Sequence, residues 1–166
     1  MRTVALAQGR SPQLDEAVIT INGRELLDIV REAEVPFAEA EGHPDLAGSY
    51  RGLPAVVALV PSKHLHGEPD ALYSELVGSG AVTKPAVLVC ECGEPGCWPL
   101  CARIEVKDEV VVWSDFEQPH RKGDDGREPW SYGSVGPFEF DRSNYEQAFG
   151  GVARYEERLA KCRSRS

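Results

Sequence analysis

Basic residues are scarce in this chain. Its 166 residues hold 18 Lys and Arg against 27 Asp and Glu, for a formal net charge of −9 at pH 7. Binding to a phosphate backbone depends on Lys and Arg displacing counterions, so the composition argues against a nucleic-acid partner and against attraction to an anionic membrane. Long apolar runs are also missing. The longest, such as 55–60, fall far short of the ~20 residues a membrane-spanning helix needs. The opening Met1-Arg2-Thr3-Val4-Ala5-Leu6-Ala7 is broken at Gln8-Gly9-Arg10, too short for a signal-peptide core. The sequence contains no phosphate-binding glycine loop, no dinucleotide fingerprint, no nucleophile elbow and no His-Glu-x-x-His. The enzyme classes with readable signatures thus have no support. The expectation is a small acidic cytoplasmic protein whose thiols stay reduced.

The remaining composition is that of an ordinary globular protein, with 42% hydrophobic and 27% charged residues. The length suits one domain. A flexible lead-in is expected over 1–14 and a single globular domain over 15–166. Residues 17–21 are β-branched and read as a strand. Asn22 and Glu25 have capping-box spacing before a helix through Leu26, Val30 and Ala33, which Pro36 should end. Loop is expected at 45–52, a buried strand at 55–60, irregular chain at 61–70 and a short helix at 71–77.

Residues 85–92, 97–106 and 110–116 then form a three-strand meander. Residues 117–137 lack periodicity, and loops of that length tend to be functional or disordered. Ser143 and Glu146 open a C-terminal helix with an apolar stripe of Tyr145, Phe149, Val152, Tyr155 and Leu159, interrupted at Gly150-Gly151. The fold expectation is α+β: a mostly antiparallel sheet of about five strands with an N-proximal and a C-terminal helix.

The most distinctive stretch is Val-Cys-Glu-Cys-Gly-Glu-Pro-Gly-Cys-Trp-Pro-Leu-Cys, which gathers Cys90, Cys92, Cys97 and Cys101. If 93–96 is a four-residue hairpin loop, Cys92 opposes Cys97, Cys90 opposes Pro99 and Cys101 opposes Leu88. All four sulfurs then share one sheet face. Three readings follow. The thiols can bind zinc, which takes four ligands in a tetrahedron, although Cys-x-Cys-x4-Cys-x3-Cys departs from the usual Cys-x2-Cys pairs. They can be buried apolar groups. Or Cys92 and Cys97 can form a disulfide. A fifth cysteine, Cys162, lies in a basic tail.

Two weaker constellations stand beside the hairpin. Trp113, Asp115 and Glu117 alternate along a strand end, and His120 and Arg121 follow. Together they can support acid–base chemistry or anion binding, or form a solvated strand edge. His64 and His66 would lie on one side of an extended segment.

Leu88 to Leu100, Val112 to Arg121 (Val-Trp-Ser-Asp-Phe-Glu-Gln-Pro-His-Arg) and Gly136 to Ala148 resemble a family of small bacterial proteins with no associated activity. The resemblance implies a shared fold and transfers no catalytic residue. Its pattern includes Cys90, Cys92 and Cys97 and not Cys101.

Two functions follow as expectations. One is a non-catalytic, immunity-like interaction domain that docks a basic protein partner through its acidic surface and an aromatic loop carrying Trp130, Tyr132 and Phe138. The other is a zinc-binding or thiol-based enzyme or redox sensor using the 90–101 hairpin.

Overall fold

The computed structural model describes residues 4–11, 14–54, 64–67, 84–94, 96–123 and 125–148. The expected strand at 55–60, helix at 71–77, Cys162 and the helical stripe beyond 148 lie outside the described residues.

The fold is α+β and antiparallel. Strands β1 (Val4–Ser11), β2 (Leu14–Ile21) and β3 (Arg24–Glu25) pair in order, and β5 (Leu53–Pro54) adds to β2. The segment expected as a flexible lead-in is thus largely strand β1, in register with β2 from Val4 opposite Ile21 to Ser11 opposite Leu14. A second sheet has five strands in the order β4-β6-β7-β8-β9: β4 (Tyr50–Arg51), β6 (Ala86–Cys90), β7 (Leu100–Val106), β8 (Val110–Glu117) and β9 (Phe138–Asp141). Helix α1 spans Leu26–Ala40, and residues 142–148 are helical (α2). Among the described residues, no helix is long and apolar enough to cross a membrane.

Local chemistry accounts for the departures from expectation. Asn22 does not cap α1. Asn22 and Gly23, at φ 52° and 78°, make the two-residue turn that joins β2 to β3, the conformation for which Asn-Gly is favoured. Pro36 does not end α1, which runs on to Ala40. Pro36 is on the exposed face, so the carbonyl its missing N–H leaves unpaired is on the solvent side. The buried stripe of Leu26, Val30, Glu34 and Ala38 continues past it. At α2 the cap is Asp141 rather than Ser143: Asn144 N–H donates to Asp141 Oδ1 at 2.8 Å.

β6 is buried along its whole length, which explains its uninterrupted apolar sequence. Trp113 and Phe140 pack with Tyr145 of α2 beneath the sheet. Trp113 Nε1 donates to the Tyr145 hydroxyl at 3.0 Å, and that hydroxyl donates to Leu65 O at 2.7 Å. The loop from 118 to 137 is packed rather than loose. It buries Gln118, Arg121, Trp130, Tyr132 and Val135, and Trp130 N–H donates to Arg121 O at 3.1 Å to close it.

Candidate metal centre

Cys90 ends β6, where it pairs with Tyr50 of β4. Two backbone bonds then turn the chain: Gly93 N–H donates to Cys90 O at 2.9 Å, and Cys97 N–H donates to Glu94 O at 3.2 Å. Gly93 takes φ 90°, a conformation costly for any residue with a Cβ. The turn folds Cys92 and Cys97 back over Cys90. The three ligand sulfurs lie within 4.8 Å of one another, and Cys90 and Cys92 Sγ are 3.2 Å apart. A zinc tetrahedron with ~2.3 Å Zn–S bonds has an S···S edge of about 3.8 Å, which lies between the 3.2 Å of the Cys90–Cys92 pair and the 4.8 Å that bounds all three.

The cluster is electrostatically uneven. The Glu94 N–H, then the Cys90 and Cys97 thiols, hold the Cys92 thiol below its ordinary value. Burial pushes Cys90 up to about 12. Cys92 therefore gives up its proton more readily than Cys90. Cys92 and Cys97 are exposed and Cys90 is buried, so the site opens to solvent on one side.

Cys101 is not part of it. The hairpin loop is longer than four residues, and Leu88 pairs with Leu100 instead of Cys101, with a register irregularity between Leu88 and Ala86, which pairs with Cys101. A one-residue slip exchanges sheet faces. Cys101 is fully buried, and burial and then the Glu117 charge push it up to about 12. All four described cysteines are free thiols, so Cys92 and Cys97 are not bridged.

The expected alternation of Trp113, Asp115 and Glu117 is broken by a bulge. Arg103 faces Ser114, while Cys101 faces Glu117. Asp115 absorbs the extra residue at φ 48°. It points outward to Arg103 Nε at 2.7 Å, which holds its carboxyl below the usual range. Burial raises Glu117, but ion pairs to Lys84 at 2.8 Å and Lys122 at 3.0 Å lower it by more. These carboxylates serve surface ion pairs.

His120 and Arg121 turn the other way, toward the cysteine loop. The His120 ring stacks on Trp98 at 17° and 6.2 Å between centroids. Arg121 lies 4.6 Å from the centre of the Trp98 ring and 5.5 Å from that of Trp130. Its Nε sits 3.4 Å from Glu41 Oε1 without hydrogen-bond geometry, and that oxygen accepts from Trp130 Nε1 at 2.6 Å.

The aromatic loop expected to dock a partner is turned inward: Trp130, Tyr132 and Phe138 are all buried. Tyr132 and Tyr50 both donate to Glu34 Oε1 at 2.6 Å, and Gly48 N–H donates to Oε2 at 2.8 Å. Burial raises the Glu34 carboxyl above its ordinary value despite these three donors. Glu34 and Trp98 were not singled out from the sequence, although a carboxylate on the Leu26-Val30-Ala38 stripe marks a charge that needs buried partners. His64 and His66 lie in a 3-10 turn, where His64 Nε2 donates to Ala86 O at 2.7 Å and His66 meets Tyr145 edge-on.

No protein-family model, curated protein or solved structure matches this chain significantly.

Proposed function

We propose that this is a zinc protein whose metal is held by Cys90, Cys92 and Cys97 and fixes the 91–99 loop. The observation that carries this reading is the gathering of three sulfurs within 4.8 Å by one tight turn. Thiolate ligands suit zinc, and closed sites of three cysteines and one further ligand are an established structural type. The metal would withdraw the protons that the thiols hold, since ligands bind deprotonated.

Metal analysis of untagged protein, with intact mass after alkylation before and after chelation, tests it. One zinc per chain and chelator-dependent exposure of Cys92 and Cys97 are expected. Zinc well below stoichiometric, with alkylation insensitive to chelator, removes the reading.

Docking of a basic partner is a second reading, supported by the net charge of −9 and not by the inward-turned aromatics. Its signature is association with a basic polypeptide that weakens as salt rises. Binding indifferent to salt counts against it.

A further inference from the structure

Three cysteines leave a tetrahedral ion one ligand short. We propose that His120 supplies the fourth ligand through Nδ1, completing a Cys3His centre. The inference rests on the zinc reading above and adds a residue from outside the hairpin.

The juxtaposition that carries it lies on either side of Cys97. His120 Nε2 sits 3.0 Å from Gly96 O, and the His120 ring stacks on Trp98. The imidazole thus bridges the two residues that flank the third thiol. A backbone carbonyl only accepts, so Nε2 carries the proton and donates it to Gly96 O. In the neutral ring Nδ1 then holds the lone pair. That is the tautomer a metal requires, and ligating histidines characteristically donate their other N–H to a carbonyl or carboxylate.

The backbone beneath the ring is also fixed. His120 N–H donates to Gln118 Oε1 at 2.6 Å, and Arg121 Nη1 donates to His120 O at 2.9 Å. His120 is not among the donors within 4.8 Å of one another, so ring and loop must close together as metal loads. Both His120 and Cys97 are exposed, so the closure falls to the His120 side chain and the cysteine loop while buried Gln118 and Arg121 hold the His120 backbone. The competing side chains are less suited. His64 is occupied at Ala86 O, and Glu94 would bring an oxygen where closed zinc sites use sulfur and imidazole nitrogen.

Zinc-edge X-ray absorption on the wild-type protein reads the ligand set directly. Three sulfurs at ~2.3 Å and one nitrogen at ~2.0–2.1 Å are expected. In a parallel cobalt titration, His120→Gln should change the visible bands of the tetrahedral ion. It should also weaken zinc binding by at least the ~10-fold that loss of a supporting partner costs. Bound zinc with three sulfurs and an oxygen, or with four sulfurs, overturns the inference and leaves the zinc reading standing. So does a His120→Gln variant with wild-type spectrum and affinity. A wild-type protein that takes up no zinc overturns both.

Discussion

Tyr132→Phe isolates one bond in the buried carboxylate network. The substitution removes only the hydroxyl that donates to Glu34 Oε1 at 2.6 Å, leaving the ring in place. Glu34 is fully buried and keeps two donors, Tyr50 and Gly48. A hydrogen bond to a charged group is worth about 1.5–3 kcal/mol, against about 0.5–1.5 kcal/mol for a neutral pair. The expected loss is therefore about 2 kcal/mol when Glu34 is ionised, a fall of about 4–8 °C in Tm for a chain of this size.

The pH dependence follows from the same bond. Burial raises the Glu34 pKa in the folded protein, and the Tyr132 hydroxyl pulls it partly back. Stability linked to this raised pKa is fully present below the unfolded value of 4.5 and is lost as pH rises through the folded pKa. Tyr132→Phe raises that pKa further. The gap between wild type and variant is then widest above both folded pKa values and narrows on acidification. Urea unfolding of both proteins over a pH range that brackets the raised pKa measures it. A gap under about 0.5 kcal/mol on the alkaline side of that range, or one that widens on acidification, refutes the assignment of a charge-assisted bond.

Three further outcomes are expected. Cys101→Ala should cost about 1 kcal/mol for one buried sulfur and leave zinc stoichiometry unchanged; loss of metal would return Cys101 to the cluster. In chelated protein, Cys92 should alkylate well before Cys90 and Cys101, whose thiols burial pushes up to about 12, and peptide mapping over time would expose the opposite order. Asp115→Val should destabilise by about 1–3 kcal/mol, because a β-branched residue resists φ 48°. Asp115→Gly should cost little, since the Arg103 ion pair it loses is exposed. Equal costs for the two variants would remove backbone strain as the cause.

Much of the architecture was legible where one physical signal dominated. The apolar run of β6 and the Leu26-Val30 spacing each reflect burial on a single element. The misreadings arose where two local rules competed. Asn22 satisfies both cap and turn chemistry, and the following glycine favours the turn. Pro36 breaks helices in general, but here its deficit faces water. Registers were the hardest, because the irregularities near Cys101 and Asp115 have no compositional mark, and each reverses the faces that follow. That is why four cysteines reduce to three and why Asp115 and Glu117 part from His120 and Arg121. The contact of the 118–121 turn with the cysteine loop is long-range, and no spacing rule expresses it.

Trp98 follows Cys97, stacks on His120 and meets Trp130 edge-on at 6.0 Å. The third tryptophan, Trp113, is fixed in β8 against Tyr145. The chain therefore carries two indole rings coupled to the cysteine loop and one reference ring beneath the sheet. Its native fluorescence is expected to divide accordingly into a component that registers the state of the hairpin and a steadier contribution from Trp113. Events at the loop tip should then be followable optically without attaching a label.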